Sequence, residues 1–395
     1  MTARLRAPSL AQRTLAFAAL AAAAIGGPSH VARGADSRVG FREPARARSA
    51  AVGSRIDAGG TNESPARLPR PASVSFQTRL APPIVGEPVA SSGGAFVVAH
   101  GRDRVSALDA SGHSVWSARL GAELASGPIP FGADAFLLVT RDARLFELSN
   151  AGVVREREEL GWNAIDGAVL FAPTAEGGAV VATGARLARV APRGARSFRT
   201  KLGVSLRAVF DWRGATLAVG RDGSIWLRGA AGDPLELGDF GAPVAEVMLA
   251  RDRLFALSEH ALESFDLPTR QRAPVWADPA LALHDMALAR GERVFLAAGR
   301  STLVELDAAG RELARFTLPT GESGAELGNV VLDRTGALLV VANGSPLWSV
   351  TPEGEPTSLL GTGCPDALRP TPVADGRVVA TCRSGLVRGL SDKAR

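Results

Sequence analysis

Eight times the chain returns to a short apolar run, a turn, and a second segment that ends on an apolar residue, and this repeat limits its fold more than any other feature. The runs occupy 95–99, 135–139, 179–182, 215–219, 253–257, 293–297, 337–341 and 377–381. They are apolar at consecutive rather than alternate positions, which predicts strands covered on both faces. Turns such as Gly101-Arg-Asp103, Arg141-Asp142 and Arg221-Asp-Gly223 follow, then strands closing on Leu108, Leu148, Val190, Phe265, Leu306, Val350 and Leu390, so each run opens a hairpin.

A second turn then carries glycine at its fourth position, at Gly112, Gly152, Gly194, Gly310 and Gly354. A type I turn continued by a left-handed residue needs a side-chain acceptor at its start and glycine at its end, as in Asp109-Ala-Ser-Gly112. Copies 4 and 5 depart from this: Gly229-Ala-Ala-Gly232 predicts a shifted turn, and Asp266-Leu-Pro-Thr-Arg270, without glycine, a longer loop. A period near 40 residues with four strands per unit predicts an all-β chain built as an eight-bladed β-propeller of four-stranded antiparallel blades. The last copy lacks a fourth strand, while 73–80 (SVSFQTRL) precedes the first copy and matches fourth strands such as 114–120 (SVWSARL). An N-terminal strand completing the last blade would remove the open edge.

The first 72 residues read differently. Arg4, Arg6 and Arg13 precede an apolar run at 15–25, too short to span a bilayer, which predicts a signal peptide at 1–26. Residues 27–72 mix Arg, Ala, Pro, Ser and Gly without periodicity and read as a disordered leader; 73–390 form the propeller and 391–395 a tail. The expectation is an exported monomer, periplasmic or extracellular, soluble after cleavage and with no transmembrane segment in the mature chain.

Charge and residue usage exclude several chemistries. The chain carries +5 in all, but 1–72 hold 11 Arg against four acids, a net of +7, so the remainder sums to 5 − 7 = −2. A nearly neutral body does not support a nucleic-acid partner. The five histidines never fall at ligand spacing, and no nucleophile, phosphate-loop or metal motif is present, so no catalytic, cofactor or metal residues are assigned. Cys364 and Cys382 lie before the innermost strand and at the end of the second strand of blade 8, facing each other in an antiparallel pair, and are expected to form a disulfide. Trp116 and Trp276 fall in fourth strands as packing between blades, whereas Trp162 and Trp212 flank innermost strands and are the candidates for rim binding. The innermost strands of blades 1–4 read as mostly apolar and neutral.

The phrases Val105-Ser-Ala-Leu-Asp-Ala-Ser-Gly112 with Trp116, and Leu303-Val-Glu-Leu-Asp-Ala-Ala-Gly310, resemble the repeat of the pyrroloquinoline-quinone-like propellers. That resemblance extends as architecture over 73–390, and it lies nearer to the superfamily's non-catalytic outer-membrane assembly propellers than to its quinoprotein dehydrogenases. The dehydrogenases hold their quinone with adjacent cysteines and a calcium cluster, which have no counterpart here. The resemblance implies a non-catalytic scaffold, without a cofactor, that binds another envelope or secreted protein; the alternative is a small-molecule binder or quinoprotein-type enzyme with its ligand in the axial channel.

Overall fold

Alternate residues of each apolar run face opposite neighbours, which is why the run is apolar at consecutive positions. In a computed structural model of the chain, Val97 and Ala99 of blade 1 pack with Phe136 and Leu138 of blade 2, while Phe96 and Val98 pack with Val379 and Val387 of blade 8. Blade 2 repeats the scheme, turning Leu137 and Val139 toward Ala179 and Val181 of blade 3. Five further blade-to-blade cores have the same construction, so hydrophobic burial is divided among the interfaces of a ring. The structure describes residues 63–64, 68–69, 72–91, 93–131, 135–191, 196–289, 293–319, 327–333, 335–342, 347–359, 367–372 and 376–392, all in one compact unit.

Eight four-stranded antiparallel blades form a β-propeller, and no helix occurs among the described residues. Blade 1 runs Val89–Ala90, Phe96–His100, Arg104–Leu108 and Ser114–Arg119 from axis to outer edge. Blades 2 to 7 follow in chain order, with innermost strands Ile129–Phe131, Val169–Pro173, Leu206–Trp212, Glu246–Ala250, Leu283–Leu288 and Leu327–Asp333. Blade 8 is made of Thr371–Pro372, Val378–Thr381 and Leu386–Asp392, and its outermost strand is Ala72–Arg79, paired antiparallel with Leu386–Asp392.

The meander puts the turns between first and second, and between third and fourth, strands on one rim. The second-to-third turns and the connections between blades share the other, here called the connection rim. There fourth strands are tied to the second-to-third turn of their own blade: Leu120 N donates to Asp103 O (2.9 Å), Leu160 N to Ala143 O (2.9 Å), Leu202 N to Ala185 O (2.8 Å) and Leu318 N to Ser301 O (2.7 Å). Leu80 N makes the same bond to Gly385 O at 2.8 Å, so the N-terminal strand sits in blade 8 as the other fourth strands sit in theirs.

The turn glycines answer to two demands. Gly112, Gly152, Gly310 and Gly354 all have φ between 79 and 89°, the left-handed region that glycine enters without steric cost. Each also faces the outer strand of the preceding blade. A Cβ on Gly152 would lie 2.8 Å from the Trp116 ring and one on Gly112 within 2.4 Å of Phe76, while Phe316 crowds Gly354 and Val275 crowds Gly310. Trp116 is fixed there by its indole N–H, which donates to Asn150 O at 2.8 Å.

Three expectations are revised. The blade 5 turn is not longer: Arg270 takes the left-handed conformation at φ 56° in place of glycine, and Asp266 Oδ1 accepts from Thr269 N and Oγ1 at 2.9 and 2.7 Å. The last strand runs through Ser391 to Asp392. Within the stretch read as a disordered leader, Glu63–Ser64 pairs in parallel with the innermost strand of blade 7. Leu68 is buried in the core between blades 7 and 8, its N–H donating to Asp333 Oδ2 at 2.9 Å.

Candidate functional site

The axial ends of the innermost strands bring ionisable groups together from several blades. Strand Leu206–Trp212 of blade 4 supplies Arg207, whose Nη2 donates to Glu246 Oε2 of blade 5 at 2.5 Å and whose Nε donates to Ala245 O. Asp285, in Leu283–Leu288 of blade 6, accepts on Oδ2 from Val330 N of blade 7 and from Arg369 Nη2 of blade 8, both at 2.8 Å. Glu246, Asp285 and Arg369 are buried, a position charged side chains rarely take without partners.

Their electrostatics follow from that burial. Desolvation pushes the Asp285 carboxyl up, Arg369 pulls it back and the Glu246 charge adds to the rise. For Arg369 burial opposes the charge, but Asp285, Glu87 and Glu246 hold it above the ordinary guanidinium value. Acidic groups therefore converge at the axis from blades 5 and 6, outside the four innermost strands read as neutral. They meet arginines from other blades. The signal lay in segments such as Leu283-His-Asp-Met-Ala-Leu288, where an acid interrupts an apolar strand, but its partner stands 84 residues away. No group of three or more His, Cys, Asp or Glu that could hold a metal ion is found among the described residues.

The two rim tryptophans are not brought together. Trp212 ends the innermost strand of blade 4; its indole N–H donates to Asp252 Oδ1 at 2.8 Å and Arg213 lies over its ring at 5.1 Å while also pairing with Asp252. Trp162, in the connection from blade 2 to blade 3, is 8% exposed and packs with Phe131, Leu160 and Ile165. The part of Trp162 that reaches solvent lines a depression of about 350 Å³, together with Asp142, Arg144, Glu156 and Glu159. Cys382 is buried and bridges Ala367 across blade 8, whereas Cys364 lies outside the described residues.

The family model described as outer membrane protein assembly factor BamB matches residues 70–315. The chain belongs to that family. As a BamB-family chain it falls within the pyrroloquinoline-quinone-like propellers. Among solved structures it is similar to BamB from Moraxella catarrhalis, with 16% identity and a TM-score of 0.60 over 81% of this chain and 99% of that one. A computationally designed protein, Ika8, gives 11% identity and a TM-score of 0.63 over 80% and 98%. A streptogramin B lyase gives 12% and 0.50 over 66% and 93%. At these identities the likeness shows the fold alone. No curated protein matches the chain.

Proposed function

We propose that this chain is a non-catalytic, exported propeller that serves as a protein-binding or cell-envelope assembly scaffold. The observation that carries this reading is the state of the axial charges. Arg207 and Arg369 engage Glu246 and Asp285 across blade boundaries, so the groups that would otherwise bind a channel ligand hold the ring together. Accessible chemistry then belongs to the rims and flanks, where rigid blades present variable loops. The BamB family model supports the same role.

Export is read from Arg4, Arg6 and Arg13 ahead of the apolar run at 15–25. In that setting Cys364 and Cys382 form a disulfide; in support, no cysteine among the described residues is free. The partner is another envelope or secreted protein, bound by a monomer through a surface in which Trp162, and less so the more heavily engaged Trp212, act as anchors. No helix among the described residues is long and apolar enough to cross a membrane.

The test is cross-linking of the exported protein in its own envelope, with mass-spectrometric mapping of the linked residues. The expected result is protein partners linked to rim and flank residues, an N-terminus beginning near residue 27, and a Cys364–Cys382 peptide seen only without reductant. Recovery of a tightly held small molecule with turnover, and no protein cross-links, would overturn the scaffold assignment.

A further inference from the structure

Seven of the eight fourth strands are spoiled as pairing edges by the same device: the ladder with the third strand skips one residue of the fourth, such as Val115 in blade 1, Arg157 in blade 2 and Leu313 in blade 6. A bulge of this kind bends and twists an outer strand, and charged residues add a second deterrent to edge-to-edge pairing. Each of these strands also carries at least one charge. Blade 7 has neither device in its described fourth strand. Pro356–Leu359 reads Pro-Thr-Ser-Leu and pairs residue for residue with Leu347–Val350. No described strand covers its outer side, and Pro356, Thr357 and Ser358 are exposed.

The register decides which backbone groups this edge offers. Thr351 N donates to Glu355 O at 3.0 Å across the turn. Bonded and non-bonded pairs alternate along an antiparallel ladder, so Ser349–Thr357 and Leu347–Leu359 are the bonded pairs, and Pro356 and Ser358 turn their backbone groups outward. Proline, with no N–H to give, stands where the ladder needs none. The outward groups are therefore the Pro356 carbonyl and both the N–H and the carbonyl of Ser358. Just ahead of them in the chain, Glu353 and Glu355 are exposed. One strand inward, opposite Ser358, Trp348 is 6% exposed and its buried indole N–H has no hydrogen-bond partner among the described residues. Buried indoles usually find an acceptor, so polar pairing is incomplete at the buried neighbour of this edge as well as along it.

We propose that the outer edge of blade 7 takes an extended, basic segment of the partner protein as an added antiparallel strand. Ser358 exchanges both of its backbone hydrogen bonds with one residue of that segment, and the Pro356 carbonyl accepts a third. The inference rests on the scaffold reading and names the partner chemistry of one of its surfaces. Backbone groups at strand spacing are matched by an extended chain. Running antiparallel, its C-terminal end reaches Glu355 and Glu353, where Lys or Arg is the complement. A second copy of this chain would bring the same uncharged strand and the same two carboxylates, with no cation to meet them.

The experiment titrates the full mature protein with a fluorescein-labelled, amidated Thr-Val-Thr-Val-Arg-Arg peptide, followed by fluorescence anisotropy and by hydrogen exchange of the 351–359 region. The controls are Thr-Pro-Thr-Pro-Arg-Arg, which lacks the strand donors, and Thr-Val-Thr-Val-Glu-Glu. The expected result is saturable binding that slows exchange at Ser358 and is at least tenfold tighter than for the Pro peptide. Ser358→Pro removes the outward donor and leaves the ladder intact, and should weaken binding tenfold or more. Glu353→Gln/Glu355→Gln should weaken it by about threefold, and this variant decides the matter if Ser358→Pro fails to fold. Equal binding of the Val and Pro peptides, or of the Arg and Glu peptides, overturns the proposal. So does self-association of the protein that Ser358→Pro abolishes, which would give the edge to a second copy. If the peptide fails to bind while envelope cross-links to protein persist, the scaffold reading stands and only this edge falls; if no protein cross-links form either, both fall.

Discussion

Single residues show most directly how the blades are fitted. Gly152 and Gly121 both have positive φ, 80 and 71°, but only at Gly152 would a side chain meet the neighbouring blade, since nothing lies within 4 Å of a Cβ at Gly121. Gly121→Ala is expected to cost only the left-handed conformation, about 1–2 kcal/mol. Gly152→Ala adds crowding against Trp116, for a total of about 2–4 kcal/mol; urea denaturation of the two variants separates these effects. His100 gives a pH-dependent counterpart. Its ring nitrogen Nε2 shares a hydrogen bond with Ser106 Oγ at 2.9 Å, and burial, then the Arg104 charge, lower its pKa below 6.5 against the opposing influence of the Ala81 carbonyl and Asp103. The folded state keeps the ring neutral where the unfolded chain takes up a proton, so stability is lost as pH falls from about 6.5 toward the folded value. Denaturation midpoints across pH 5–8 should show this slope, and His100→Gln should flatten it.

The elements of the ring were legible in the sequence to very different degrees. The apolar runs declare the second strands because each must satisfy two neighbours, and the turn glycines declare the third-to-fourth turns because glycine alone enters that conformation freely. Local pattern could not reveal that Gly112 lies under Phe76, since this close approach joins the strand 72–79 to blade 1. Nor could it reveal the order at Leu68, whose burial depends on Val331, Val378 and Leu390 far along the chain. The axial ion pairs were missed for the same reason: one charge in an apolar strand reads alike whether its partner is water or an arginine from another blade. Of the candidate tryptophans, Trp212 ends an innermost strand and is tied to Asp252, whereas Trp162 lies in the connection between blades 2 and 3, a difference that local pattern does not carry. Strand Ala72–Arg79 also carries a prediction of its own. Phe76 packs with Phe96 at a centroid distance of 6.1 Å and covers the Gly112 turn, so Phe76→Ala should cost about 3–5 kcal/mol. Removing 72–79 altogether exposes the edge Leu386–Asp392 and should produce association measurable by light scattering.

Across the whole molecule, the axial pair Asp285–Arg369 links blade 6 to blade 8 while the Val330 amide of blade 7 bonds the same oxygen. Removing one buried charge strands the other. Asp285→Leu or Arg369→Met alone should therefore destabilise by about 3–5 kcal/mol, and the double variant by clearly less than the sum, as a double-mutant cycle in urea would show. Because blades meet only their neighbours apart from such ties, these variants should also broaden the unfolding transition as the ring loses cooperativity. One sheet draws its strands from both extremes of the repeat region, Ala72–Arg79 and Leu386–Asp392. The timing of assembly follows from this. Until Leu386–Asp392 has left the ribosome, Ala72–Arg79 has no mate, so the finished circle can form only once the whole repeat region has emerged.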